Sequence, residues 1–356
     1  MKNLFNLLKT PTNSFTNPLP QKPSTFIFFS QSISPISISS SKTQLNQQNS
    51  NSISMNKQEE IQLKNDPSKL NYPIPLSPQL PAISKEIELN RAMSASSRSS
   101  LFVISRVHVI FEDQWLLVVN KPSGIYCENV LSSASSVLFH DSDDSTGPRE
   151  FHLANRLDRD TSGVMIITKM HKAASKLVKA FTEHKVQKTY IALCVGSAPK
   201  WSKIRLKSGH GRSKYGAWRV YATSDVGRTL PGGSSVRDME TVFEVISING
   251  KIPSNVEEKD VIVEERSSIE AKHEDEIVVR ALPKSGRTHQ IRLHCQYLGM
   301  PIKGDVKYEG VYEWNDEICD GHSLHAESLS FEHPMTGVLM QVHAPLPLWA
   351  SQAMQL

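Results

Sequence analysis

Cysteine is scarce in this 356-residue chain: Cys127, Cys194, Cys295 and Cys319 stand far apart, with no C-x-x-C pair. That excludes a disulfide scaffold and a cysteine-rich zinc module. The thiols read as reduced and mostly buried, as in an intracellular protein. No apolar run approaches the ~20 residues of a membrane-spanning helix, so no membrane partner is expected. Neither a Walker lysine loop nor G-x-G-x-x-G occurs, which leaves nucleotide cofactors without a phosphate cradle. Acidic residues are missing from the first 58 positions, which hold 12 Ser and the lysines 2, 9, 22, 42 and 57. Those five lysines account for the net charge of +4; the remainder carries 35 basic against 36 acidic residues. Bulk charge is therefore silent about partners.

What is present divides the chain. Residues 1–58 have no helical or strand periodicity and cannot bury enough apolar surface to offset their ordering entropy. They read as a disordered leader. Its hydroxyl-rich, acid-free composition fits an organellar transit peptide, and because Arg is absent before Arg91, a chloroplast address is favoured over a mitochondrial one. A start at Met55 would give an untargeted cytosolic form. Residues 59–103 read as a Pro/Ser-rich linker and 351–356 as a tail. Between them, 104–350 forms one domain. Val107–Phe111 and Trp115–Val119 predict a hairpin, with further strands at Val164–Thr168, Lys188–Val195, Glu240–Ile248 and Glu276–Ala281. A Ser/Asp-rich loop is expected over 131–150. Met170–His184 has one apolar face, Ala173, Leu177, Ala180 and Phe181, and predicts a helix. The nine acids of Val256–Glu276 predict a solvated loop insertion, about 251–276. Strands dominate without a βαβ repeat, so the fold class is α+β.

Two clusters carry candidate chemistry. In Asn155–Gly163 (NRLDRDTSG) two Arg and two Asp alternate within five residues before a buried strand. That order suits either a site held between loop and strand or a plain surface turn capped by Asp and Ser. In Gly286–His294 (GRTHQIRLH) Thr288 is a candidate N-cap, and Ile291, Cys295 and Leu298 form an apolar stripe. Gly299 sits where a left-handed C-cap belongs. The opposite face, His289, Arg292 and Gln296, is either an anion-binding surface or an ordinary solvated one. Metal readings fail. His289 and His294 are five residues apart, and Cys319-x-x-His322-x-x-His325 lacks a second ligand pair. Lys200–Arg228 interleaves eight cations with Trp201, Tyr215, Trp218 and Tyr221, the pattern of a nucleic-acid groove or of a solvated strand-loop-strand.

Taken together the clusters resemble a family, the RluA-type RNA pseudouridine synthases. Arg156-Leu-Asp-Arg-Asp-Thr-Ser-Gly163 is similar to their H-R-L-D-x-x-T-S-G motif. Asn120-Lys-Pro-Ser-Gly124, Lys188-Thr-Tyr-Ile-Ala-Leu193, Gly286–His294 with Gly299–Asp305 and Tyr308, and Leu324-His-Ala with Phe331-Glu-His-Pro334 match in order. The resemblance covers about residues 104–350. One departure is Asn155, where the family usually has His; altered packing or base-flipping contacts are expected there. Another is that no basic RNA-binding module precedes residue 100.

The resemblance implies a mixed, largely antiparallel sheet flanked by helices around a central RNA-binding cleft. It implies an isomerase that converts uridines of rRNA or tRNA to pseudouridine as a monomer, without metal or organic cofactor. Asp158 matches the catalytic carboxylate, Arg292 the cation paired with it, and Tyr190 the aromatic that stacks on the target base. Arg156 matches the side chain near the space left by the flipped base, and Lys121, Lys188, Arg287 and His289 are expected to bind RNA. Two alternatives remain: a catalytically silent RNA-binding protein on the same fold, and a glycoside hydrolase using Asp160 as second carboxylate.

Overall fold

The computed structural model describes residues 71–78, 81, 84–138, 150–253, 257–267 and 274–355. The expected leader, 1–58, lies outside the described residues, as do positions 139–149 of the loop expected over 131–150. The described part opens with helix α1 (Ser84–Leu101), followed by strands β1 (Val109–Glu112) and β2 (Leu116–Lys121). Short helices α2 (Cys127–Ser132) and α3 (Ala134–Leu138) precede β3 (His152–Leu153) and β4 (Ser162–Thr168). Then come α4 (His171–Thr182), β5 (Gln187–Gly196), β6 (Lys203–Arg212), β7 (Trp218–Tyr221), β8 (Arg237–Ile248), β9 (Glu258–Ile262) and β10 (Asp275–Pro283). Helix α5 (Gln290–Tyr297) is followed by a small hairpin, β11 (Glu313–Trp314) and β12 (Glu317–Ile318). Strands β13 (Leu324–Glu332) and β14 (Leu339–His343) and helix α6 (Leu348–Met354) complete the order.

Twelve strands form one sheet, β1-β2-β4-β13-β5-β10-β8-β6-β7, with β3, β14 and β9 pairing β4, β13 and β6 from the side. Only β4–β13 and β6–β9 are parallel, so the sheet is mixed and largely antiparallel, as expected. Its middle strands are buried on both faces because each face has its own cover. On β5, Ala192 and Cys194 pack with Ile291 and Cys295 of α5, while Ile191 and Leu193 pack with Ala350 of α6. Alternation along one strand thus feeds two cores. Helix α4 covers a third, inserting Leu177 against Val164 and Ile166. The parallel β4–β13 junction is tight: Gly163 has φ +112°, and a Cβ there would lie 2.2 Å from the Ala326 carbonyl oxygen.

Four expectations need correction. Residues 84–101 are a helix rather than linker. Its buried positions are Ser84, Arg91, Ala95 and Ser99, one face but a polar one, which hydrophobic periodicity cannot see. Arg91 donates to the carbonyl of Gly304, 2.7 Å away, and to that of Cys319. Residues 351–354 are not tail but the end of α6, where Ala353 and Met354 pack on the core. Within the acidic insertion, Glu258–Ile262 is a strand: its acids alternate, and β9 lies beside the basic strand β6 with Glu258 opposite Lys203 and Asp260 opposite Arg205. Residues 134–138 of the expected loop are helical.

Candidate active site

The loop 154–161 reaches the sheet where β4, β13 and β5 lie side by side, and it lines a cleft of about 1240 Å³. Strand β5 supplies Tyr190 and Lys188 to the same cleft, the turn into α5 supplies Arg287 and His289, and α5 itself supplies Arg292. Asp158 and Arg292, 134 positions apart in sequence, therefore meet.

Asp158 is the carboxylate that stays open to the cleft. Its Oδ2 accepts from Arg292 Nη1 at 2.8 Å, and its side chain is 29% exposed. Burial alone would raise its pKa, but the charge of Arg292, with the dipoles of His289 and His322 nearby, outweighs that and holds the carboxyl well below the usual range. Arg292 is itself rigid: Nε and Nη2 donate to the two oxygens of buried Asp305 at 2.7 and 2.8 Å, and the guanidinium lies 5.0 Å over the Tyr308 ring. A bidentate anchor leaves Nη1 aimed at Asp158. Asp305 and Tyr308 had no role assigned from sequence. Both fall in the Gly299–Tyr308 run that follows α5, and that adjacency is the signal that could have found them.

Neighbouring charges are tied up in positioning the loop. Asp160 accepts two bonds of 2.7 Å from Arg159, is 5% exposed, and so is no second free carboxylate for a hydrolase. Lys121 was expected at RNA, but it is wholly buried. Its Nζ donates to the carbonyls of Pro122, Ile125 and Arg159 at 2.8, 2.7 and 2.9 Å. The Pro122–Gly124 turn curls back over the ammonium, burial lowers its pKa to about 8, and it staples the loop from behind. Ser123 Oγ and the Gly124 amide hold the Asp160 and Arg159 carbonyls at the same place. From the other side, Glu88 of α1 stands 3.6 Å from Arg159. Asn155 clamps the loop to β4, donating to the Val164 carbonyl and accepting from the Ile166 amide at 2.8 Å. Of the two outcomes expected at Asn155, these bonds are packing contacts.

The remaining expected residues separate into rim and wall. Arg156 projects at the mouth, 73% exposed, paired with Glu128 at 2.8 Å. Lys188 Nζ donates to the Ser285 carbonyl at 2.7 Å; burial, then Arg287 and Lys284, lower its pKa to about 8. Arg287 is held by the Asp238 carbonyl and carboxylate. Tyr190 is kept protonated by burial and by the Asp158 charge, which push its pKa up. The expected N-cap moves by one residue: His289, with φ +58°, caps α5, and the helix is buried nearly all round, so it offers no open cationic face. Its C-terminal side matches expectation, Gly299 having φ +70°. The Lys200–Arg228 stretch is not a groove. Trp201 and Tyr221 are core residues, and Lys203, Arg205 and Lys207 pair with Glu244, Glu240 and Asp260. Among the described residues no His/Cys/Asp/Glu group could hold a metal ion. His322 and His325 instead bond Thr161 and Ser162.

The RNA pseudouridylate synthase family pattern matches residues 115–297. RNA pseudouridine synthase 1 of Arabidopsis thaliana is 60% identical over 289 residues, covering 79% of this chain and 88% of the relative. The chain belongs to the RNA pseudouridylate synthase family. RNA pseudouridine synthase 1 of Oryza sativa is 59% identical over 292 residues, covering 79% and 84%. Ribosomal large subunit pseudouridine synthase C of Pasteurella multocida is 35% identical over 242 residues, covering 67% and 64%. This pseudouridine synthase is thus an isomerase acting on RNA, built on the α+β fold that the resemblance implied.

Proposed function

We propose that Asp158 is the reacting carboxylate of this RNA pseudouridine synthase. One observation carries the proposal: Asp158 is open to the cleft and is kept ionised by an arginine that a second carboxylate, Asp305, holds in place. Isomerising uridine means breaking C1′–N1, turning the uracil and joining C5 to C1′. A carboxylate serves that step as nucleophile at the glycosidic carbon or as base, as carboxylates do in glycoside chemistry. Tyr190, neutral and on the adjacent strand, stacks on the base and assists loss of the C5 proton by its position. The Asp158 carboxylate, free again once C5 has joined C1′, accepts that proton. Arg156, exposed at the mouth, occupies the gap left when the nucleotide flips out of its helix. Lys188 and Arg287 take the phosphates beside it. An intact Asp158–Arg292 pair is not what a silent RNA-binding protein needs.

The substrate is rRNA or tRNA; the name of the Pasteurella relative supports the ribosomal half of that reading. The acid-free leader addresses the enzyme to an organelle, a chloroplast in preference to a mitochondrion, and the enzyme works as a monomer. A fluorescent protein fused behind residues 1–58 should enter that organelle; a diffuse cytosolic signal would reject the address. The mechanism is tested by tritium release from C5-labelled uridine in RNA. Asp158→Asn should release none while still binding RNA, because phosphate contacts supply most of the affinity. Substantial release by a folded Asp158→Asn protein would overturn the assignment.

A further inference from the structure

His289 sits in the cleft with an unusual backbone and two telling neighbours. Its φ of +58° is a left-handed conformation that is costly for a non-glycine residue and persists where the surroundings over-determine it. Here it turns the imidazole inward. Nδ1 lies 2.7 Å from Tyr308 Oη, and Nε2 lies 3.8 Å from Asp158 Oδ2. Burial and the adjacent Arg292, with a smaller push from Lys307, lower the imidazole pKa to about 3 despite Asp158 and Asp305, so the ring is neutral. The neighbours also fix its tautomer. Tyr308 stays protonated, because burial raises its pKa, and its O–H donates to Nδ1. The carboxylate of Asp158 favours the proton on the nitrogen that faces it, Nε2. The result is a neutral N–H donor aimed beside the reacting carboxylate. A neutral imidazole is a competent electrophile where a developing anion needs stabilising.

We infer that His289 is a further catalytic residue, donating Nε2–H to the uracil as C1′–N1 breaks. The inference rests on Asp158 being the reacting carboxylate. When the bond breaks, its electron pair goes to N1 and spreads onto O2 and O4. O2 is only three bonds from C1′, so a donor 3.8 Å from the attacking carboxylate is within reach of it. The imidazole keeps its proton throughout. The electron pair returns when C5 bonds C1′ and Asp158 is released as a carboxylate; that carboxylate takes the C5 proton and N1 takes one from water, so charge and protons balance. Arg292 is already engaged with the carboxylates, Nε and Nη2 with Asp305 and Nη1 with Asp158, so its charge serves those two groups first.

The test varies the leaving group. Single-turnover loss of the N1-linked nucleoside is followed in RNA carrying uridine or 5-fluorouridine at the target, enzyme in excess. Fluorine withdraws charge from the base, so the fluorinated base departs with less help. His289→Ala should slow uridine cleavage about 10²-fold, the size expected for one lost donor to a developing anion, and 5-fluorouridine cleavage about tenfold or less. His289→Gln, which keeps a neutral donor, should recover most of the rate. Tyr308→Phe, which frees the tautomer and leaves residue 289 untouched, should show the same leaving-group dependence at smaller amplitude. If His289→Ala does not fold, His289→Asn, tolerant of left-handed backbone, replaces it. Equal penalties on both substrates, or a loss confined to RNA affinity, would overturn the inference. Asp158→Asn run in parallel separates the two readings: it should abolish cleavage of both substrates, and only its activity would remove the underlying assignment.

Discussion

Two stretches of the chain mix cations with ring-bearing side chains, Lys200–Arg228 and Lys284–Arg292, and the fold puts them to opposite uses. In the first, strand β6 carries Lys203, Arg205 and Lys207 between two acidic strands, β8 with Glu240 and Glu244, β9 with Glu258 and Asp260. The charge of these three is countered across the strands, Trp201 and Tyr221 are buried, and Trp218 stacks 4.7 Å from His210. In the second, Arg292 pairs with Asp158 and Arg287 lines the cleft; Lys188 of β5 joins them there, and the charges closest to it are the cations Arg287 and Lys284. A cation on a strand flanked by acidic strands is neutralised where it stands, whereas Lys188 has cations for its nearest charges.

The largest effect that separates the two stretches is expected from Arg292→Ala, which should lower turnover about 10³-fold, the upper range for a lost electrostatic contact in a site. In the native protein Asp158 is held below its ordinary range and is ionised at any working pH. Without Arg292, burial raises its pKa, so the residual activity should climb with pH through the new value. Tritium release measured from pH 5 to 9 checks this, and a flat residual profile would contradict it. The same sign applies to stability: the depressed carboxyls of Asp158 and Asp305 stabilise the fold above about pH 4, and that contribution is lost on acidification.

Next in size is Lys188→Ala. RNA affinity should fall across sequences, and the slope of log K against log salt should shrink by about 1. Because Lys188 titrates near pH 8, it is charged below that value and neutral above, so native affinity should weaken as pH rises through it. Lys188→Arg should abolish that weakening. A salt slope unchanged in Lys188→Ala would remove the residue from the interface.

Arg219 sharpens the comparison from the other stretch. It is buried and donates to the Pro78 carbonyl, so Arg219→Met should cost about 1–3 kcal/mol of stability, read by denaturant melts, with RNA affinity unchanged. Smallest of all is Arg205→Gln. Half exposed between Glu240 and Asp260, it should change neither stability nor affinity by more than about 0.5 kcal/mol. A clear loss of RNA binding here would restore the first stretch as a groove.

Legibility followed apolar pattern and motif. Helix α4, the β1–β2 hairpin and the strands β4, β5, β8 and β10 are marked by periodicity, and the meeting of Asp158, Arg292 and Tyr190 in one cleft follows from the motifs in order. What escaped did so for physical reasons. Helix α1 docks through Arg91 and Ser99, β9 is an acidic strand that pairs with a basic one, and Lys121 shows that a motif places a residue near a site without saying which way it points. Asp305 and Tyr308 act through Arg292 and His289, and such indirect contacts leave no local pattern.

Gly163 has a consequence for heredity. It stands one strand position after Ser162, where the loop that carries Asp158 enters the sheet, and Ala326 leaves no room for a Cβ. Every missense change of a glycine codon adds a Cβ. No such allele at 163 can be mild: each must part β4 from β13 at the foot of Asp158. Such alleles would be inherited as loss of the modification, indistinguishable by phenotype from a change of the carboxylate itself, and a melting curve of the purified protein would tell them apart.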